Sequence, residues 1–301
     1  NSSNTLDMSK KKAMFFKQSG GEAFDYATPF MTATGIPNDS TVYHSGTAQE
    51  ITGAGLWTAV QDLVTGLDTN GTLELYDTIY PFVGGTLASH KYNLKTTEVN
   101  LDTDAAFRLT ESGTVTHSKD GVQSDGSTGY FDTHMTPEVV WDATLMRGTL
   151  MVYSPTADPA NSRTAIGGSR GMSGEASCGI AVTNWKCSAS INGGVTIDGS
   201  PLPYNTPLGV IFGTRGSSTN MTLHITNVTG EYTDENTSLE PSLPPLGASV
   251  FMLASRQNSS AVSFHTGVIS LAATGKPLTS AQMTADAAVF QSFQTALGRN
   301  V

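Results

Sequence analysis

Hydrophobic positions follow two different periods along this chain. Between residues 51 and 67, apolar side chains recur every three or four residues, which predicts an amphipathic helix. Apolar residues continue at similar spacing from Leu73 to Ile79, so a second short helix is predicted there, ending before Pro81. From residue 81 onward the helical period gives way to short runs that are typical of strands.

Ten short strands are predicted in the central part of the chain. The β-type runs are separated by Gly, Asn, Asp and Pro at intervals of about ten residues, a spacing typical of sandwiches. The predicted strands are 106–109, 129–132, 149–153, 164–167, 180–184, 188–191, 208–214, 221–226, 249–254 and 261–270. Strands and helices do not alternate here, so a parallel sheet is not expected.

The chain closes on a third predicted helix. Thr279 and Gln282 have the spacing of a capping box, and apolar residues then line one face up to Leu297, immediately before Gly298. We expect this helix to pack on its own domain, and a helix that binds a partner is the alternative.

Composition supports an all-β chain and excludes several functions. Only 14% of the 301 residues are charged, against about 25% in an average protein. The net charge of −10 disfavours nucleic acid as a partner, because phosphate neutralisation needs clustered Lys and Arg. The apolar runs are far shorter than the roughly 20 residues of a spanning helix, so no membrane partner is expected.

The charge deficit is concentrated in one stretch. Only eight of the 88 residues from 143 to 230 are charged. The outer face of a β-sandwich ordinarily carries charge. Either Ser, Thr and Asn solvate this stretch or another subunit covers it, and the sequence alone does not choose between the two.

Motifs for cofactor binding, metal binding and nucleophilic catalysis are missing from the sequence. The six histidines show no metal-ligand spacing, and the turn at 68–71 lacks the ligand pattern of a calcium loop. Cys178 and Cys187 are too few for a zinc site, and we expect them to be free, half-buried thiols. We therefore predict no cofactor, no metal and no catalytic residue.

Asp102 and Asp104 are spaced as two carboxylates on one strand face, a pattern found in hydrolases that cleave glycans. They lie in a loop-like context before the predicted strand 106–109, and no aromatic residue flanks them to hold a sugar ring. We interpret them as turn residues. A glycan-cleaving hydrolase on the same sandwich is the alternative function.

Several strings resemble a recurrent family of tailed-bacteriophage virion proteins. They are YPFVGG (80–85), ASHKYNLK (88–95), DTDAAFRL (102–109), TVTHSKDGVQSDGSTGYFDT (114–133) and the ending LTSAQMTADAAVFQSFQTALGRNV (278–301). The resemblance implies a mainly β fold: an antiparallel jelly-roll sandwich, concanavalin A-like or laminin-G-like, with a short N-terminal helical segment and a C-terminal helix. Three segments are expected, namely an extended arm (1–23), a helical anchoring segment (24–80) and the sandwich (81–301).

The same resemblance implies a structural or adhesive virion protein rather than an enzyme. We expect a tail, fibre, spike or capsid-decoration subunit that is assembled into the virion in the host cytoplasm. Its expected partners are other virion subunits, further copies of itself and host cell-surface glycans.

Lectin-like sandwiches bind sugars through aromatic and amide side chains. On that analogy Trp185, Asn192, Tyr204 and Asn205, in or near Gly- and Pro-rich connections, are the candidate ligand-binding residues, with core or turn positions as the alternative. A purely architectural subunit, whose sandwich contacts only its neighbours, is a third hypothesis.

Overall fold

The computed structural model describes the helices and the greater part of the sandwich. The described residues are 25–44, 50–141, 147–155, 163–169, 177–182, 187–193, 197–198, 209–227, 230–236 and 247–299. The predicted arm at 1–23 lies outside them. The division of the chain at residues 23 and 80 stays a prediction.

Two long helices and three short ones occur in these ranges. They are α1 (Ala27–Thr34), α2 (Gly53–Thr69), α3 (Leu87–His90), α4 (Pro137–Val140) and α5 (Ser280–Ala296). The helices predicted at 51–67 and after Thr279 are confirmed as α2 and α5. The capping box of α5 is formed as expected, and Gly298 follows the helix with a left-handed φ of 66°.

Nineteen strands are present in the described residues. They are β1 (Val42–His44), β2 (Ile51–Thr52), β3 (Tyr76–Tyr80), β4 (Thr110–Ser112), β5 (Val115–Ser118), β6 (Gly121–Ser124), β7 (Tyr130–Asp132), β8 (Gly148–Ser154), β9 (Arg163–Ser169), β10 (Ser177–Val182), β11 (Cys187–Gly193), β12 (Ile197–Asp198), β13 (Gly209–Arg215), β14 (Met221–Asn227), β15 (Gly230–Asn236), β16 (Phe251–Met252), β17 (Ser255–Gln257), β18 (Ser260–Val262) and β19 (Leu271–Gly275).

The strands form two large sheets that pack face to face. One sheet has six strands in the order β15-β14-β13-β8-β19-β3, and the other has nine, ordered β12-β11-β10-β9-β16-β7-β4 with β17 and β18 attached beside β9. Pairings are antiparallel except that β17 runs parallel to β9. The predicted fold class, a mainly β sandwich with N-terminal helices and a closing C-terminal helix, is confirmed.

The central strands of the six-stranded sheet are buried on both faces. Met151, Tyr153 and Phe212 pack against α2 and α5, whereas Val152 and Ile211 point into the core between the sheets. Every residue of β8 and β13 is buried as a result. The chain's own helices therefore cover these strands of the charge-poor stretch, a third outcome besides solvation and cover by another subunit.

The two sheets approach each other closely at Gly213, where the facing residue is also small. A methyl group built on Gly213 of β13 would lie 2.6 Å from the Cβ atom of Ala189 in β11. Such a contact is far shorter than van der Waals distance, so a side chain at 213 would push the sheets apart.

Three predicted elements are wrong. Of the strand expected at 261–270, only residues 261 and 262 lie in a strand, β18, and the next strand begins at Leu271. Where a helix was expected at 73–79, a single 3-10 turn is followed by β3, because pairing with β19 at the sheet edge outweighs the helical spacing of the apolar residues. Where a strand was expected at 106–109, Thr103 caps another 3-10 turn and Phe107 has a left-handed φ of 55°. The strand begins only at Thr110, as β4.

A buried carboxylate fastens α5 to the segment that connects α2 with the six-stranded sheet. The Asp286 side chain accepts hydrogen bonds from Asn70 Nδ2 at 2.9 Å, Thr72 Oγ1 at 2.7 Å and Tyr76 Oη at 2.7 Å. Burial raises the pKa of Asp286, and these three donors act in the opposite direction. One carboxylate thus joins α5 to the segment 70–76, which is at least 210 residues away in sequence.

Replacing Asp286 by Ala should destabilise the protein by roughly 3 kcal/mol, because the buried hydroxyls of Thr72 and Tyr76 lose their acceptor. Chemical denaturation measures the change. Asp68→Ala removes an exposed carboxylate of α2 and serves as the matched control. Equal stability of the two variants would contradict the role assigned to Asp286.

Candidate ligand-binding face

The structure leaves the predicted sugar-binding quartet untested. Trp185, Tyr204 and Asn205 lie outside the described residues. Asn192 lies in β11, directly after Ile191, whose side chain belongs to the core between the sheets. The assignment of these four residues to a ligand site stays a prediction.

The two sheets differ in what lies on their outer faces. The helices α2 and α5 cover the six-stranded sheet, whereas the described part of the chain places no helix over the nine-stranded sheet. In β10 of that sheet, buried Cys178, Ile180 and Val182 alternate with residues that are only half-buried. We call this outer surface, where Tyr130, Asp132 and Arg256 lie around the buried ring of Phe251, the open face.

Aromatic rings and a guanidinium group form a row on the open face. Tyr130 of β7 and Phe251 of β16 are stacked with ring centroids 4.5 Å apart, and Phe264 lies 6.4 Å from Tyr130. The guanidinium of Arg256 covers the other end of the row, 5.0 Å from the Phe251 ring. Such a row combines apolar surface with a fixed charge, the combination that polar ligands with apolar faces require.

Neutral acceptors hold the Arg256 side chain in place. Its Nη1 donates to Ser249 Oγ at 2.6 Å and its Nε donates to the Asn258 carbonyl at 2.8 Å. The nearest carboxylate oxygen, on Asp132, is 3.8 Å from Nη1. The group is thus fixed in position without a short ion pair, and 22% of its side chain is exposed.

A chain of polar contacts continues from Asp132 to the edge of the sheet. Asp132 accepts a bond from the backbone N–H of His134 at 2.9 Å, and His134 Nε2 lies 2.7 Å from Thr110 Oγ1 and 3.4 Å from Asp104 Oδ1. His134 adopts a left-handed φ of 54°, which turns the chain at the end of β7. The open face therefore ends in a polar rim rather than in apolar surface.

The two carboxylates considered for hydrolysis belong to this rim, and both are bound to cations. Asp102 accepts from Lys91 Nζ at 2.7 Å and from Arg108 Nη1 at 3.1 Å, and Asp104 accepts from Arg108 Nη2 at 3.0 Å. The hydrogen bond from Lys91 is the main cause that lowers the pKa of Asp102, and Arg108 adds to it. A general acid has to hold its proton near neutral pH, so this site disfavours Asp102 in that role.

The strings that resemble the phage family meet at a second place, around buried Arg299 after α5. Its Nη1 donates to the carbonyls of Phe82 at 3.1 Å and Lys119 at 3.4 Å, and its Nη2 donates to that of Pro81 at 3.4 Å. YPFVGG, THSKDG and TALGR thus form one joint. These strings build the scaffold. Their main contribution to the open face is Tyr130 and Asp132.

The helix side of the molecule carries a different kind of surface. A groove of about 420 Å³ runs between α2 and α5. Its lining is mostly small and apolar, consisting of Ala59, Asp62, Leu63, Gly66, Asn70, Ala285, Ala288, Val289, Ser292, Phe293 and Ala296. It lacks the fixed charge that distinguishes the open face.

The described residues offer little for metal or redox chemistry. No group of three or more His, Cys, Asp or Glu side chains is arranged to hold a metal ion within these ranges. Cys178 and Cys187 are free, as expected, but fully buried rather than half-buried, and burial raises the pKa of both thiols to about 12. No helix in the described ranges is long and apolar enough to span a bilayer.

Sequence analysis does not single out Tyr130 or Arg256. For Tyr130 a signal exists, because it precedes buried Phe131 in a strand and strand residues alternate between faces. For Arg256 no local pattern marks the residue, since its contact with Phe251 depends on the turn between β16 and β17. Leu253, with a left-handed φ of 65°, begins that turn.

The sequence matches no family model and no curated protein. Among solved structures, domain 4 of AbnA, a GH43 extracellular arabinanase from Geobacillus stearothermophilus in complex with arabinotriose, is 12% identical with a TM-score of 0.46, over 70% of this chain and 98% of that domain. CBM40 of the Ruminococcus gnavus IT-sialidase, bound to α2,3 sialyllactose, is 13% identical with a TM-score of 0.36, over 46% and 80%. A variant of the NanB sialidase from Streptococcus pneumoniae is 8% identical with a TM-score of 0.40, and the match covers 59% of this chain but 27% of that one.

Replacing Lys91 by Met should raise the pKa of Asp102, because it removes the hydrogen bond that contributes most to lowering it. Titration of the carboxyl carbon by NMR measures this directly. Lys119→Met, which breaks an ion pair with Asp120 instead, should leave the Asp102 titration unchanged. If the pKa of Asp102 in the unaltered protein lies above the ordinary range of an aspartate, the result would support the hydrolase hypothesis instead.

Proposed function

We propose that this chain is a non-enzymatic structural protein of a bacteriophage virion, a tail, fibre, spike or capsid-decoration subunit, that presents its open face to glycans on the host surface. The observation that carries the proposal is that the outer faces of the two sheets differ. Helices of the same chain cover one, and the other presents Tyr130 and Arg256, which are held against the buried ring of Phe251. A face of this kind is suited to display, whereas the covered face is not.

The chemistry of the open face suits a sugar ligand. Sugar rings have apolar C–H faces that pack on aromatic rings and hydroxyls that need fixed donors and acceptors. Tyr130 provides a half-exposed ring, Arg256 a positioned donor, and Asp132 and His134 a polar rim. Each contact is weak alone, and many copies on one particle would gain affinity through effective concentration.

The helix side is proposed as the side that faces other virion subunits. The apolar groove between α2 and α5 supports this, because small side chains let another surface approach closely. This division keeps the predicted roles of the helical segment, which anchors, and of the sandwich, which displays. Virion subunits and further copies of the chain are its proposed partners.

The alternatives are weaker on the same geometry. A glycan-cleaving hydrolase needs one carboxylic acid that keeps its proton, and Asp102 and Asp104 are ion-paired instead. A purely architectural subunit would have the open face against a neighbour. A structure of the assembled particle separates that hypothesis from display: solvent around Tyr130 favours display, and a subunit contact there favours architecture.

Binding to glycans is tested with the full chain, biotinylated and held as tetramers, on an array of immobilised bacterial polysaccharides and lipopolysaccharides. We expect binding to at least one polysaccharide. Arg256→Gln and Tyr130→Leu should each reduce it about tenfold or more, since one charged or stacking contact is worth roughly 1.4 kcal/mol. Asp62→Asn, in the groove on the helix side, is the matched control and should bind normally. Binding to nothing on the array, or equal binding by all three variants, would contradict the proposal.

The structural role makes a separate prediction. Purified particles of the phage that encodes this chain should contain it in many copies, which quantitative mass spectrometry of the virion counts. Immunogold labelling then assigns the copies to head or tail. If the chain is absent from purified particles while abundant in the lysate, the virion role is wrong, whatever the result on the glycan array.

A further inference from the structure

A hydrogen-bonded relay of two histidines lies beneath the sandwich surface and has no part in the proposed function. His90 Nδ1 is 3.0 Å from His117 Nδ1, and His117 Nε2 is 2.6 Å from Glu111 Oε2. At the inner end, the backbone N–H of Gly85 donates to His90 Nε2 at 3.1 Å. The four groups come from α3, β5, β4 and the loop after β3, so the relay joins separate parts of the chain.

Only one arrangement of protons satisfies all three hydrogen bonds. Because Gly85 donates to Nε2 of His90, the proton of that neutral ring has to sit on Nδ1. It is donated to Nδ1 of His117, whose own proton is then on Nε2 and is donated to Glu111. A further proton on His90 would sit on Nε2 and point at the N–H of Gly85. A further proton on His117 would sit on Nδ1 and point at the Nδ1–H of His90. Either addition breaks a buried bond.

The surroundings of His90 also disfavour a second positive charge. The guanidinium of Arg299 is buried nearby, and the hydrogen bonds of its Nη atoms go to backbone carbonyls rather than to a carboxylate. Burial lowers the pKa of Arg299 to about 9, and Asp120 and Tyr153 act on it through space in the opposite direction.

The β5–β6 hairpin brings one further carboxylate, that of Asp120, which is ion-paired with Lys119 at 2.7 Å. The helix α1, which packs on α3, has the uncharged sequence ATPFMTAT, and residues 81–85 are uncharged as well. Glu111, beyond His117, is the acid in the relay. Burial is the main cause that holds the pKa of His90 well below 6.5; His117 and Arg299 add to it, and the Phe82 carbonyl acts in the opposite direction.

We propose that the relay is an acid-sensitive lock, which holds the residues after α5 against the 81–90 segment and the β5–β6 hairpin until a further proton enters it. That proton breaks a relay bond and places a second cation beside Arg299. The hydrogen bonds from Arg299 to the carbonyls of Phe82 and Lys119 are then the ones that break. The sign follows from the lowered pKa of His90, because the opened state takes up a proton below pH 6.5 that the closed state refuses.

Hydrogen exchange of the full chain, corrected for the intrinsic effect of pH, measures the opening. Between pH 6.5 and 5, protection of the Gly85, Gly298 and Arg299 amides should fall about tenfold per pH unit, as expected for opening linked to one proton. Amides near Asp286, at the other end of α5, should lose far less. A parallel loss along the whole helix, or no loss at Gly85, would overturn the proposal.

Two variants separate the lock from simple packing. His90→Asn keeps a donor toward His117 but cannot titrate, and His117→Gln keeps a donor toward Glu111. In each the pH slope at Arg299 should disappear, whereas His134→Asn, at a half-buried histidine bonded to Thr110, should keep it. If His90→Asn fails to fold, His117→Gln decides alone. A slope that persists in the folded variants would exclude the relay as its source.

Nitrogen-15 shifts of the imidazole rings give a readout independent of stability. At pH 7 the proton should be on Nδ1 of His90 and on Nε2 of His117. The opposite tautomer in either ring would contradict the arrangement on which the lock depends.

Discussion

The burial of β8, β13 and β19 on both faces of the six-stranded sheet is the constraint on which the rest of this structure depends. A sheet packed between helices and a second sheet has no solvent-facing side, so its central strands carry almost no charge. Arg215 is buried there and donates to the Ile191 carbonyl, and buried Thr149 and Thr214 bond to each other at 2.7 Å. The low charge of β8 and β13 follows from this arrangement.

The same constraint makes the two sides of the molecule unequal. One side consists of helices, joined to the sheet segment through Asp286, and the other is the outer face of the nine-stranded sheet, over which the described residues place no helix. A sandwich with two solvated faces would give no reason to place a ligand on either. Here the aromatic row that ends in Arg256 lies on the open face, and the buried joint around Arg299 holds the C-terminal segment against Phe82 and Lys119.

Local sequence signals correctly predicted the helices and strands whose ends they set. The capping box of Thr279 and Gln282 marked the start of α5, and short β-type runs bounded by turn residues located most strands of the sandwich. Spacing failed at 73–79, because apolar residues at helical intervals also suit an edge strand whose faces are both covered. The spacing of residues could not identify the open face, because strand pairing brings Tyr130 and Phe251 together from 121 positions apart. Contacts of that separation follow from topology, which no single segment encodes.

The central claim is that the open face, not the helix side, meets the ligand. Hydroxyl-radical footprinting of the chain bound to bacterial envelopes tests it most directly, because aromatic side chains on both sides report contact. The account predicts protection of Tyr130 and Phe264 with unchanged labelling of Trp57 and Tyr92, which pack with the helices. Protection of Trp57 and Tyr92 with Tyr130 and Phe264 left reactive would contradict it.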